Sequence, residues 1–452
     1  MSQLDRRDFF KVGAALGAGL TTMTTSLVQT ATAQIPSTKP MLEFKVPPID
    51  LVRIGYVGVG GMGSGHVRNL LKIPGCQITA VCDIVPEKVA RIQKQVQNAG
   101  FPKPKGYSRG DLDFKRMCET EDLDLVYTAT PWRWHTPVLL AAMANGKHGA
   151  TEVNAAFNTE DCWRLVEAAE RTQKHCVLME NCCYDRTEMR ILNMVKQGLF
   201  GDLLHGECGY LHDLRGVKFG NGGEGLWRRE WAKSHNCNLY PTHGLGPVAQ
   251  CMDINRGDAF DFLVSMSSDS RGLQDYAASH YPPGHAKRKE TYKLGDVNTT
   301  LIRTKLGKTI IVKHDTNLPR PYSRDVLLQG TKGLVRKYPS EKVHIEGKSP
   351  GHGWEDMKAY ESYDHPLWKA MQGEAKGAGH GGMDFIEDYR LIDALRNGRP
   401  TDVDVYDAVA WSAVVGLSGQ SVANRGRSLD FPDFTRGQWK TERPLQVMGY
   451  KA

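Results

Sequence analysis

The chain has 452 residues, 40% of them hydrophobic and 24% charged, with a formal net charge of +7. That is the composition of a globular protein with room for two sizeable cores. The excess positive charge is spread without a basic run, which argues against a nucleic-acid module.

The first 33 residues read as an address. Arg6 and Arg7 precede Phe9, Phe10 and Lys11, a mildly apolar run follows, and Ala31-Thr32-Ala33 forms a small-x-small cleavage signal. The pattern resembles a twin-arginine export signal, which implies contact with the twin-arginine translocase and a periplasmic or secreted destination. The apolar run is too short and too rich in Thr and Gly for a membrane span, so no stable membrane anchor is expected. The twin-arginine route carries folded proteins, which suits a protein loaded with a cofactor before export. Residues 34–50 hold four prolines and read as a linker or arm.

From Leu51 a strand–helix alternation begins. "LVRIGYVGV" reads as a buried strand, "GMGSGHVRNLLKI" as a helix, "QITAVCD" as the second strand and "PEKVARIQKQVQNAG" as a helix with Pro86 near its start. "LDLVYTAT", "KHGATEV" and "HCVLMENC" supply three more strands. Between them lie the helices "TPVLLAAMANG" and "TEDCWRLVEAAERTQ", the second capped by Thr159. Strands alternating with helices predict a Rossmann-type, doubly wound parallel sheet over residues 51–185. Residues 186–452 change texture. "TTLIRTKLG" and "KTIIVKHDT" alternate as strands of a more open, partly antiparallel sheet. Regions 213–247 and 270–295 read as long functional loops, and 347–382 is loop-like. Two helices, "MDFIEDYRLIDALRNG" and "VYDAVAWSAVVGLSGQSVANRG", close the chain.

The ten cysteines show no C-x-x-C spacing, so no metal site is expected. Export permits disulfides, but Cys82 and Cys176 lie in apolar strand-like runs where free buried thiols are the simpler reading. No essential disulfide framework is expected.

Gly58-Val59-Gly60-Gly61-Met62-Gly63 fits G-x-G-x-x-G between a strand and a helix, as the dinucleotide fingerprint requires. The glycines let backbone N–H groups approach a pyrophosphate at a helix N-terminus. Asp83 ends the next strand, where a carboxylate bonds the adenosine ribose, and favours NAD over NADP by repelling a 2′-phosphate. Trp132, Arg133, Trp134 and His135 follow the 123–130 strand and either pack on the cofactor or form a surface turn. "GATEVNAA" ends another strand with Glu152 and Val153.

Together with these motifs, "TPWRWHTP", "ENCCYDR", "MVKQGLFG", "GYLHDLR", "NLYPTHGLGPVAQCMDINRGD" and "RPYSRD" give the chain its resemblance. It is similar to the Gfo/Idh/MocA superfamily and, more narrowly, to glycoside hydrolase family 109, the NAD-dependent α-N-acetylgalactosaminidases. The resemblance implies an N-terminal Rossmann domain plus a C-terminal α/β domain with a large open, mostly antiparallel sheet. It implies NAD contacts from Gly61, Met62, Asp83, Trp132 to His135, Glu152, Val153 and Asn181. It implies sugar contacts from Tyr210, Arg228, the run Tyr240, Pro241, Thr242 and His243, and Tyr322; Arg229 adjoins Arg228 and competes for its role. Asn154 stands where family members carry proline.

Most superfamily dehydrogenases have E-K-P where this chain has Glu152-Val153-Asn154. Val153 cannot take the proton that their lysine takes. The family's reaction, as the resemblance implies it, oxidises C3 of the sugar, eliminates the aglycone after loss of the C2 proton, adds water and reduces C3 again, with retention. NAD is then regenerated each turnover and can stay tightly bound. An ordinary glycosidase would instead need two carboxylates across the bond. His243, in a Pro/Gly-rich loop, is the first acid/base candidate, against a structural loop histidine. Tyr184 is the second, against a buried tyrosine bonded to backbone. The implied substrate is a terminal α-N-acetylgalactosaminyl glycoside. The alternative is an exported NAD(P)-dependent sugar oxidoreductase, and the third option a non-catalytic binder. Superfamily members often pair through the open sheet, so a homo-oligomer is an open expectation.

Overall fold

The computed structural model describes residues 39–450; the export signal read over residues 1–33 lies outside the described residues. Among those described, six strands form the first sheet: β1 (Val52–Val57), β2 (Cys76–Cys82), β3 (Lys105–Tyr107), β4 (Leu125–Thr128), β5 (His148–Thr151) and β6 (Cys176–Leu178). They run parallel in the order β3-β2-β1-β4-β5-β6. The central strands are almost wholly buried, because crossover helices cover a parallel sheet on both faces. These helices are α1 (Gly61–Leu70), α2 (Pro86–Asn98), α3 (Asp113–Thr120), α4 (His135–Ala144) and α5 (Thr159–Thr172). The cap of α5 is Asn158, whose side chain accepts from the Asp161 N–H at 2.7 Å, and not Thr159. Both types cap well; Asn158 has the extended backbone that a cap needs.

The second sheet holds β7 (Leu203–Leu211), β8 (Phe260–Ser267), β9 (Asn298–Thr304), β10 (Thr309–Asp315), β11 (Leu327–Gly330), β12 (Gly333–Arg336), β13 (Lys342–Ile345), β14 (Glu355–Asp356) and β15 (Leu429–Asp430). Their order is β14-β13-β12-β11-β7-β10-β9-β8-β15, antiparallel throughout except for the parallel pair β7–β10. In β9 the residues Asn298, Thr300, Ile302 and Thr304 are buried and Thr299, Leu301 and Arg303 exposed. One face of this sheet therefore meets the core and the other is open.

The remaining helices are α6 (Arg186–Lys196), α7 (Arg215–Lys218), α8 (Gly225–Ser234), α9 (Thr242–Cys251), α10 (Gly272–His280), α11 (Pro366–Met371), α12 (Met383–Arg396) and α13 (Val405–Ala423). Regions 213–247 and 270–295 are thus not loops throughout: they hold the short helices α7, α8, the start of α9, and α10, while 281–295 is irregular apart from one 3₁₀ turn at Ala286–Lys289. Their glycines mark helix ends and close contacts, which hid the helical period. The stretch 347–382 likewise contains β14 and α11. Helix α13 is buried on nearly every side and shows no polar stripe. All ten cysteines are buried free thiols.

Candidate active site

The carboxyl ends of β1, β2, β4 and β5 open into a cavity of about 540 Å³, closed from the other side by Glu224, Trp227, Arg228, Trp231 and Tyr240. Gly58 has φ of +81°, a conformation only glycine adopts readily, and turns the chain from β1 into α1. A side chain at Gly63 would collide with the Gly58 carbonyl, so this glycine serves close packing and lies behind the cradle. Gly60 and Gly61 face open space and line the cavity with Met62. The N-terminus of α1 has no side-chain cap and no acidic residue in its first turn. Its unpaired N–H groups and positive dipole end suit a pyrophosphate. Asp83 braces this loop: its carboxylate accepts from the Val59 and Val85 N–H groups at 3.0 Å each and still borders the cavity. The residues present fit a dinucleotide.

The Trp132 indole anchors the far wall, with ring centroids at 4.6 Å from Trp227, 5.5 Å from Trp231 and 5.6 Å from Tyr240. Arg133 and His135 also border the cavity, but both His135 ring nitrogens meet backbone carbonyls, Asn154 at 2.7 Å and Thr130 at 2.8 Å. Its role there is to brace the wall. The Trp134 ring turns away and packs edge-on against Phe114 at 6.0 Å. Asn181 donates to Asp384 at 2.7 Å and does not border this cavity. Glu152 and Val153 do.

Beyond Tyr240 the wall continues through the remaining sugar-contact candidates. Tyr240 meets His243 edge-on at 4.7 Å and Tyr210 at 4.5 Å; Tyr210 meets Tyr322 at 6.2 Å. Pro241 precedes α9 and Thr242 opens it, both buried. Arg228 lies over Trp132, Trp227 and Tyr240, 4.8–5.2 Å from their ring centres, and donates to Glu224 at 2.6 Å. Arg229, the competing arginine, turns to the Lys218 carbonyl and to Glu290, so Arg228 is the one presented to the cleft.

His243 sits in the first turn of α9, not in a loop. Gly244 and Gly246 let this helix approach β7 and the end of β6: a Cβ at Gly244 would strike the Gly209 backbone, and one at Gly246 would press on Glu180, Cys183 and Trp411. The close approach brings His243 Nδ1 to 2.7 Å from the Glu180 carboxylate, which is fully buried. Burial alone would raise the Glu180 carboxyl, but His243 and the Cys182 N–H hold it below the usual range, so it is ionised. An ionised Glu180 accepts a hydrogen bond from the Nδ1–H of His243, which leaves Nε2 free to accept a proton. Glu180, Cys182 and His243 each offer a metal-ligand atom within 4.8 Å of the others, and the 2.7 Å bond already occupies the first and last with one another.

Tyr184 is a correction. Its hydroxyl donates to Asp402 at 3.1 Å, and Arg390 grips that same carboxylate at 2.7 and 2.8 Å. Burial, with Asp402 next, drives the phenol well above its ordinary pKa. Tyr184 is an interior tyrosine in a structural ion-pair network, not a proton-transfer group.

Two family descriptions match, in sequence: an oxidoreductase family NAD-binding Rossmann fold over residues 52–180, and the glycosyl hydrolase 109 C-terminal domain over residues 184–441. A glycosyl hydrolase family 109 protein of Shewanella pealeana is 46% identical over 455 residues, covering 99% of this chain and all of the relative. The chain belongs to glycosyl hydrolase family 109. Another relative, 44% identical over 459 residues with 99% of this chain and 100% of the relative covered, is the Shewanella oneidensis protein named alpha-N-acetylgalactosaminidase. Among solved structures, a levoglucosan dehydrogenase with NADH and L-sorbose has a TM-score of 0.65 at 20% identity, covering 85% of this chain and all of that one. An inositol dehydrogenase homologue with NAD+ from Azotobacter vinelandii has 0.64 at 19%, covering 85% and 98%. These two show the fold alone.

For a family 109 glycosidase, the residues that reading the sequence missed are the second members of each pair. Glu180 was hidden at the start of "ENCCYDR", although an acid at a strand's carboxyl end was a usable signal. Glu224, Trp227 and Trp231 lay in a stretch read as loop. Arg324, which donates to the Tyr322 hydroxyl at 3.0 Å, follows it by two positions in "RPYSRD".

Proposed function

We propose that this chain hydrolyses terminal α-linked N-acetylgalactosaminides with retention, through an oxidation–elimination–hydration–reduction cycle on one tightly held NAD. The carrying observation is the His243–Glu180 pair, set in an aromatic wall that shares Tyr240 with the dinucleotide cleft. The name borne by the 44% identical Shewanella oneidensis relative supports the sugar. NAD bound in the cleft would supply the hydride-acceptor and hydride-donor chemistry of the cycle. Gly60, Gly61, Met62 and Asp83 would hold its adenosine diphosphate half, and Glu152 and Val153 would face the other half. His243 Nε2 takes and returns a proton, with Glu180 fixing the tautomer and stabilising the imidazolium. Tyr210, Tyr240 and Tyr322 offer ring faces to a sugar, and Arg228 offers hydrogen-bond donors to its hydroxyl or acetamido oxygens. We also propose export of the folded, cofactor-loaded protein by the twin-arginine route, which Arg6→Lys/Arg7→Lys should block in a fractionation assay.

The test is incubation with an aryl α-N-acetylgalactosaminide in D₂O. Aglycone release with deuterium at C2 of the freed sugar is expected. No release sinks the assignment, and release without deuterium sinks the elimination route. Accumulation of NADH from the sugar alone, without release, would mark a net oxidoreductase.

A further inference from the structure

Helix α1 carries one buried histidine, His66, directly under the cofactor cleft. Its Nε2 lies 2.7 Å from Glu152 Oε1 and its Nδ1 2.9 Å from both carboxylate oxygens of Asp388 on α12. Asp388 is fully buried and held by Asn69 at 2.9 Å and the Tyr127 hydroxyl at 3.2 Å. The remaining bond to the Glu152 carboxylate is a long one, 3.3 Å from the Val153 N–H. Asp384 and Glu387 of α12 and Tyr56 of β1 also crowd this spot, and Asp384 is paired with His380 at 2.8 Å. Burial alone would lower the His66 imidazole, but Asp388 and Glu152 outweigh it and raise it well above its ordinary pKa. Both ring nitrogens then donate, and His66 is the cation between two carboxylates.

The place of this chain of three groups follows from sheet order. Asp83, the ribose-side acid, directly follows β2 on one side of β1, while Glu152 directly follows β5 on the other side. A dinucleotide spans that crevice, so Glu152 faces the nicotinamide half. The oxidised nicotinamide is a cation and the reduced one is neutral. A fixed carboxylate lining the cleft distinguishes them by charge.

We propose that His66 and Asp388 are positioning residues that hold the Glu152 carboxylate at the nicotinamide end of the cleft, so that the protein binds the oxidised dinucleotide in preference to the reduced one. This rests on the NAD reading above. It gives the resting enzyme the form of cofactor that the cycle must start from.

Full-length protein is equilibrated with equimolar NAD+ and NADH, and the bound nucleotides are released by denaturation and separated. Bound NAD+ should exceed NADH in the unaltered protein. Glu152→Gln should lower that ratio about threefold to tenfold, the expected loss of one partly screened charge contact. His66→Gln should lower it by a similar factor, and the double variant no further than either alone, because His66 acts through Glu152. A ratio unmoved by Glu152→Gln overturns the proposal. So does a His66→Gln effect that persists undiminished in the Glu152→Gln background. Glu152→Gln changes a cleft-lining side chain and carries the test even where His66→Gln fails to fold. Release of neither nucleotide from the unaltered protein would instead defeat the NAD reading itself.

Discussion

His243 stood ahead of Tyr184 as a sequence candidate for proton transfer, and their surroundings separate them further. His243 stands against Tyr240 of the cleft wall, with one nitrogen tied to buried Glu180 and the other available. We expect His243→Ala to lower kcat by about 10²- to 10⁴-fold, the usual contribution of a positioned proton carrier. Glu180→Gln should cost on the order of 10²-fold, since the amide can present the wrong hydrogen-bond partner to Nδ1. Steady-state kinetics with circular dichroism as a folding control checks both. Tyr184→Phe should leave kcat within about twofold and cost about 1 kcal/mol of stability, the value of a buried hydrogen bond whose acceptor keeps Arg390. A large kcat loss in Tyr184→Phe would restore the tyrosine to the mechanism. Val153 was informative for what its side chain lacks, and the neighbouring Glu152 for a partner that no local pattern announces. His66 lies 86 positions from it, and Asp388 lies 322 positions from His66.

Helix α9 shows why "THGLGPV" misreads as a loop. Its glycines and Pro247 are poor helix formers in isolation. In the fold they are what allows a helix to lie against β7 and bring His243 to Glu180. Gly244→Ala should therefore destabilise the protein by about 3 kcal/mol, the upper range of overpacking, although alanine favours helix. A thermal melt in which the variant equals or exceeds the parent would contradict this packing account. At the start of α6, Asp185 caps Thr187 and Glu188 and pairs with Arg324 at 2.9 Å and Lys337 at 2.5 Å. Burial alone would raise the Asp185 carboxyl, but Lys337 and Arg324 bring it down to about 2 from 3.8. A depressed carboxyl stabilises the fold above its unfolded value and loses that contribution as pH falls through about 2. Asp185→Asn should thus cost about 2 kcal/mol at neutral pH and progressively less as pH drops through that window, read from urea melts across pH.

The two sheets meet through α13, which packs on both β6 and β8, and the cleft draws its floor from the first sheet and its wall from α8 and Tyr240. A ligand spanning both parts stabilises the whole molecule by mass action. NAD+ at 100 times its Kd should add about 2.7 kcal/mol and raise Tm, while NADP+ should add far less because the Asp83 carboxylate borders the cleft and would repel a 2′-phosphate. Asp83→Ala should erase most of that shift, and equal shifts from both dinucleotides would remove Asp83 from its role. The parallel sheet, the glycine turn and the closing helices were legible in order along the chain, because strand–helix periodicity and G-x-G-x-x-G are local patterns. Strands β11 to β14 were not, since two- and four-residue strands carry too little period to register. Nor were α7, α8 and α10, where glycines and aromatic anchors break the pattern. By itself the sequence determined the Rossmann half and the glycine turn at its cleft, and its long family motifs pointed to Tyr210, Tyr240, His243 and Tyr322, which the structure brings into one aromatic wall. Only the tertiary structure decided which buried acid serves which histidine, that Arg228 and not Arg229 reaches the cleft, and that Tyr184 does not. Those choices depend on charges and ring faces brought together from distant positions in a dry interior. There the partner decides what a side chain does, and nothing in the neighbouring residues encodes the partner.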